Sequence, residues 1–285
     1  MNLARSFQVS ILPVEQIFPF EDGPPSEIGS PPEHERTLIR NPFLVTPIGH
    51  DAYLLLDDTY EYAAAVAGSI SHLPVQICPQ PAVRICSRTI GLYGFNQKHM
   101  TNLAASSDGQ LLLTAPDDAA KSDYLSVNVS FDSGQLRGLC FLRGDGAGCP
   151  ESLKLFIDAV SAKGHYAPIL TGATGTTSAT GTTSGVSPDG EHNLLKATAF
   201  DAVLTLPTFA MSDLRYAAGT DQLFPPGMVS VVVDNRAIAI DFPISVLVEE
   251  TSVSEKQAFL SDLISMRNMS YRTALVEGRV YILNR

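Results

Sequence analysis

The chain has 285 residues, of which 45% are hydrophobic and 17% charged, the balance of a folded globular protein and not of a disordered or fibrous one. Nineteen basic residues against thirty acidic ones give a net charge of −11, which argues against a surface that tracks nucleic-acid phosphates. No apolar run reaches the roughly 18 residues that a membrane-spanning helix needs.

The N-terminal stretch MNLARSFQVSILPVEQ lacks the long apolar core and small-residue cleavage site of a secretory signal. The four cysteines, Cys78, Cys86, Cys140 and Cys149, form no CxxC pair. Their spacing fits neither a zinc finger nor a thioredoxin motif, so reduced, partly buried thiols in a cytoplasmic protein are expected. A His/Cys metal or haem site stays open but has no motif behind it, and no metal ligand is assigned.

In chain order, FQVSILPV alternates and is β-branched, so it reads as a strand. EDGPPSEIGSPP is a Pro/Gly-rich loop. Ser30, Pro31 and Glu33 then form a capping box that opens a short helix to about Arg40. FLVTPI and AYLLLD flank Gly49-His50-Asp51 and predict a hairpin. YEYAAAVAGS predicts a helix ending near Gly68, followed by the strand LPVQI.

Further on, YLSVNVSF and LRGLCFL predict strands, GDGAG after them a turn, and PESLKLFIDAVSAKG an amphipathic helix. The tract 172–190 contains ATGTTS twice in tandem and predicts a flexible insert; no Lys-Ser/Thr follows, so it does not read as a phosphate cradle. MVSVVVDNRAIAIDFP predicts two strands about Asp234-Asn235. Ser252 and Glu255 form a capping box before a helix whose Phe259, Leu260, Leu263, Ile264 and Met266 are expected in the core. A hairpin around Glu277-Gly278 closes the chain.

The first eighty residues resemble the ParB/sulfiredoxin fold, on ILPVEQI, a loop with Glu21, IRNPFLVTPI, AYLLLDDTYEYAAAVAG and LPVQI. Within that superfamily the chain is similar to the free-serine kinases, a group that includes a kinase and regulator of siderophore synthesis. FPPGMVSVVVDNRAIAIDFPISVL and VYILNR extend the similarity to the C-terminal end. The resemblance implies an α+β protein, with a ParB/sulfiredoxin-like domain over 1–80 and a second α/β domain over 81–285. A ligand cleft between the two is expected.

What the resemblance implies for function is specific. Family members phosphorylate free L-serine to O-phospho-L-serine, which can feed 2,3-diaminopropionate synthesis. They place a Glu shortly after the first strand as base for the serine hydroxyl, and Glu21 occupies that position. Asp57 matches the Asp of the family's Asp-Gly-X-His-Arg loop, which orients phosphates or holds Mg²⁺ through water. Asp58, Thr59, Tyr60 and Glu61 fall where that loop meets the nucleotide, which is ATP or ADP with Mg²⁺.

This loop departs from the pattern. Asp58 replaces the Gly, Tyr60 the His and Glu61 the Arg, and Phe20 stands where a His often precedes the Glu. The chain has no Trp. A carboxylate repels phosphate where a guanidinium would bind it. Two functions therefore stand open: a serine kinase with an impaired phosphate loop, and a non-catalytic binding or regulatory relative. Asp57 and Asp58 read equally as an N-cap pair, and Tyr60 as a helix-surface aromatic. His165, after a helix C-terminus, is a minor ligand candidate, and His50 and His72 read as turn residues. Expected partners are an amino acid and a nucleotide. Residues 1–80 carry three Arg, no Lys and ten acidic residues, so no nucleic acid is expected.

Overall fold

A computed structural model describes residues 8–23, 37–86, 88–115, 123–131, 133–143, 148–162, 166–169, 200–206, 209–220, 222–233 and 236–269. The expected helix start at Ser30–Glu33, the GDGAG turn, His165, the tract 172–190, the Asp234-Asn235 turn and the closing hairpin lie outside the described residues.

The chain begins with β1 (Gln8–Pro13), β2 (Ile17–Phe18), β3 (Leu38–Ile39), β4 (Phe43–Gly49), β5 (Ala52–Leu55), α1 (Thr59–Ala67), β6 (His72–Ile77) and β7 (Val83–Cys86). It continues through β8 (Thr89–Leu92), α2 (Gln97–Ser106), β9 (Leu111–Thr114), β10 (Tyr124–Phe131), β11 (Leu136–Leu142), α3 (Gly148–Ser161), β12 (Tyr166–Ile169), β13 (Ala202–Thr205) and α4 (Met211–Thr220). Last come β14 (Ser230–Val233), β15 (Phe242–Pro243), α5 (Ile244–Val248) and α6 (Val253–Met269). The class is α+β. Two compact units divide these elements: the first takes the described residues of 1–19, 23–84 and 231–285, the second those of 20–22 and 85–230.

In the first unit a five-stranded sheet runs in the order β1-β6-β4-β5-β2. β4 and β5 form the expected hairpin, with Asp51 in the left-handed region (φ 52) that a short polar side chain tolerates in a turn. Phe43, Val45, Leu55, Leu73 and Val75 from the strands and Tyr62 from α1 bury together with Phe242, Leu247 and Leu260 from the C-terminal segment. α6 is tied to the sheet edge, where Gln257 Oε1 accepts from Ile11 N (2.8 Å) and Ser10 Oγ (3.0 Å). The buried Lys256 donates Nζ to the Leu247 carbonyl, an otherwise orphaned acceptor near the end of α5.

Three local expectations are corrected. The helix expected to reach Arg40 has given way by Leu38–Ile39, which pair as a strand with Phe242–Pro243. RAIAID does not form a second hairpin strand. Ala237 N donates to Gln76 Oε1, Ala239 N to Asn41 Oδ1 and Asp241 N to the Arg40 carbonyl, and Ala239 and Asp241 have positive φ. Its N–H groups thus go to two side-chain oxygens and one backbone carbonyl and not to a hairpin ladder; the preceding β14 pairs with β7 instead. On α6 only Leu260 of the five expected core residues is fully buried, whereas Phe259 and Met266 are exposed. The capping box is present, with Ser252 N donating to Glu255 Oε2 at 2.8 Å.

The second unit is built on a six-stranded sheet, β12-β8-β13-β10-β11-β9, with antiparallel pairs throughout. Met100 of α2, Leu153 and Phe156 of α3 and Leu214 of α4 are buried with Ile90, Val129, Phe141 and Leu204 of the strands. Phe141 and Phe156 meet edge to face at 5.6 Å. All four cysteines are free thiols. Burial pushes Cys78 up to about 11 and Cys149 up to about 12, which keeps both unreactive. Among the described residues no helix is long and apolar enough to cross a membrane.

Candidate functional site

Asp57 and its neighbours gather in the first unit. The β4–β5 ladder ends where Leu56 N donates to the Leu44 carbonyl at 2.8 Å. One residue later the Asp57 side chain takes over: its Oδ1 accepts from Leu44 N at 2.9 Å. The chain then turns through Asp58, which has φ 53 and ψ 34, and α1 starts at Thr59 with Tyr62 N donating to the Asp58 carbonyl. The left-handed step is the one a glycine makes most cheaply, and Asp is among the few residues that also make it. The backbone of an Asp-Gly loop is thus present with Asp in the glycine position. Asp58 stands at the N-cap, but its side chain makes no capping bond.

Both carboxylates instead face Arg236. Its Nη2 lies 2.5 Å from Asp57 Oδ2 and 2.8 Å from Asp58 Oδ2. The Asp58 contact is an aligned hydrogen bond. The Asp57 contact is an ion pair without that alignment, so Asp57 Oδ2 is a buried atom with no hydrogen-bond partner, as is Arg236 Nε. Burial, then the charge of Asp58, raises the Asp57 carboxyl above the ordinary range; Arg236 and the Leu44 N–H pull it back. Arg236 is fixed from behind, since the next residue, Ala237, donates its N–H to Gln76 Oε1 at 2.6 Å. Thr59 and Tyr60 are half-buried and Glu61 is exposed in the first turn.

Glu21 belongs to the second unit. Its residue bridges to Phe224, with Asp22 N donating to the Phe224 carbonyl and Phe224 N to the Phe20 carbonyl, both at 2.8 Å. Pro225, Pro226 and Gly227 then turn the chain, with Gly227 at φ 74. That turn aims two backbone donors at the carboxylate: Gly227 N reaches Oε2 at 3.2 Å and Val229 N reaches Oε1 at 2.9 Å. Burial raises the Glu21 carboxyl to about 7, against the backbone N–H groups and Arg88, which lower it. A carboxylate that titrates near neutrality suits proton transfer at physiological pH.

Sequence reasoning singled out Glu21, Asp57, Asp58, Thr59, Tyr60 and Glu61. It missed Arg236, Gln76, Arg88 and the Gly227 turn. Only the last had a local signal, the Pro-Pro-Gly run. Among the described residues no group of three His, Cys, Asp or Glu side chains is gathered to hold a metal ion.

No family model matches the chain, and no curated protein does. Solved structures do. SbnI of Staphylococcus aureus, with a C-terminal truncation, superimposes with a TM-score of 0.65 at 15% identity, over 93% of this chain and 99% of that one. A point mutant of free serine kinase in complex with ADP gives 0.59 at 14% identity, over 84% of this chain and 93% of that one. A conserved hypothetical protein from Pyrococcus furiosus gives 0.54 at 15% identity, over 84% and 97%. The chain therefore has the fold that SbnI and free serine kinase share.

Proposed function

We propose that this protein transfers the terminal phosphoryl group of a nucleotide to the hydroxyl of a free amino acid, with L-serine the acceptor. The observation that carries this reading is the Glu21 carboxylate, held by two backbone N–H groups and poised near neutral pH. Glu21 takes the hydroxyl proton as the oxygen attacks the terminal phosphorus. The bond from that phosphorus to its bridging oxygen breaks, and the shortened nucleotide leaves. Support for the substrates comes from the fold relatives, one named for free serine and solved with ADP or AMP.

The Asp57 loop is the nucleotide-facing element of this reading. Mg²⁺ fits as the companion of the phosphates and not as a prebuilt centre, because Asp57 and Asp58 supply two carboxylates and both are already paired with Arg236. Asp57 would hold it through water, and it would neutralise charge on the phosphates.

A second reading, a non-catalytic binding or regulatory relative, is favoured by Asp58 on Arg236 and by the exposed Glu61 beside it. Calorimetric titration with Mg²⁺ and ATP or ADP, followed by mass-spectrometric detection of O-phospho-L-serine, separates the two. Product that forms with the native protein and fails with Glu21→Gln, while nucleotide binding is kept, supports transfer. Nucleotide or serine binding without product supports the second reading.

A further inference from the structure

We propose that Arg88 recognises the carboxylate of the acceptor, so that the Glu21 site takes a β-hydroxy acid and not a simple alcohol; this rests on the reading of Glu21 as the base. Glu21 and Arg88 share one anchor. The Val229 N–H donates to Glu21 Oε1 at 2.9 Å, and the carbonyl of the same residue accepts from Arg88 Nη1 at 3.2 Å. Gly227 lies beside both groups: its N–H donates to Glu21 Oε2 at 3.2 Å, and a side chain in its place would meet Arg88 Nη1 at 3.6 Å.

The two side chains nevertheless form no direct ion pair with each other. Arg88 is half-buried, and among the described residues the Val229 carbonyl is the one acceptor on its guanidinium. A guanidinium carries five N–H donors in a planar fork that matches a carboxylate. The nearby cation Lys154 is engaged with Asp22 at 3.5 Å. A carboxylate docked on Arg88 would thus meet uncommitted donors beside the base. In a β-hydroxy acid the hydroxyl and carboxylate sit on neighbouring carbons. Two hydrogen bonds of about 2.8 Å, one at each end, let such a molecule span a base and a guanidinium that do not touch.

The test is calorimetric binding of L-serine and of ethanolamine, which keeps the amine and hydroxyl and lacks the carboxylate. We expect the native protein to prefer L-serine by tenfold or more, Arg88→Gln to lose that preference, and Arg88→Lys to keep part of it. Thermal melting of each variant checks that it is folded. If the native protein binds the two equally, binds no L-serine, or keeps its preference in folded Arg88→Gln, the inference is overturned. If discrimination follows Arg88 but neither compound is ever phosphorylated, the carboxylate site stands and the transferase reading falls.

Discussion

The Asp58 carboxylate accepts a hydrogen bond from Arg236 Nη2 at 2.8 Å across 178 positions of sequence. This one pair turns a loop that reads as purely acidic into a compensated cluster. It also predicts an asymmetry in stability. Arg236→Gln leaves two neighbouring carboxylates, one of them largely buried, without a cation. We expect a loss of about 2–3 kcal/mol, below that of a fully buried pair because a quarter of the Arg236 side chain is exposed. Asp58→Asn keeps an acceptor for Nη2 and removes a like charge beside Asp57, so its cost should stay below about 1 kcal/mol. Urea denaturation of both variants measures the difference, and equal losses would contradict the geometry.

The contrast shows what the sequence carries. The β4–β5 hairpin, α1 starting beside Asp57-Asp58 and the box at Ser252 are local, set by turn residues and caps within a few positions. Arg236 was not legible because nothing near it announces a partner so far away, and the alternation of Ala237-Ile238-Ala239-Ile240 reads as a strand. Glu21 was placed by resemblance alone; its cradle depends on Gly227 and Val229, over two hundred positions on.

Glu21 should make stability fall as pH rises. Its carboxyl titrates at about 7 when folded and at 4.5 as an ordinary glutamate. Between those values the folded chain keeps a proton that the unfolded chain has released. This contribution is full below about pH 4.5 and is lost as pH rises through 7, by about 3 kcal/mol at most. Asp57, also raised, acts in the same direction. The check is the difference between native and Glu21→Gln stability at pH 5 and pH 8. Gln also loses one acceptor for the two N–H groups, which offsets both points alike. A pH-independent difference would show that Glu21 is ionised throughout. Turnover, if Glu21 is the base, should rise over the same pH range in which stability falls.

Gly227→Ala tests the cradle. The added Cβ would meet Arg88 Nη1 at 3.6 Å, an ordinary contact, so collision is not the cost. The backbone is, because φ 74 lies where L-residues with a side chain are strained by about 1–2 kcal/mol. We expect that loss by denaturation, together with a shifted Glu21 titration because the Gly227 N–H moves. An unchanged titration would show that Val229 alone holds the carboxylate.

Residues 1–80 carry seven more acidic than basic residues. We expect no retention of random duplex DNA at about 0.15 M salt, since nonspecific binding is built on clustered cations. Submicromolar affinity in a gel-shift titration at that salt would overturn this.

Asp58 holds the glycine-like turn at φ 53 while its carboxylate occupies Arg236. Asp58→Gly should keep the turn, since glycine adopts it more cheaply, and should release Nη2 from one of its two carboxylates. Glu61→Arg replaces an exposed anion in the first turn of α1 with a cation. Together the substitutions remove two negative charges and add a guanidinium fork where phosphates would approach. One charge-assisted contact contributes about 1.5–3 kcal/mol, so nucleotide affinity should rise tenfold or more by calorimetry. Arg236→Gln in that background should reverse part of the gain, because the freed guanidinium is lost. If the double variant binds Mg²⁺-ADP no better than the native protein, Asp58 and Glu61 do not limit phosphate binding, and the loop is not the nucleotide-facing element.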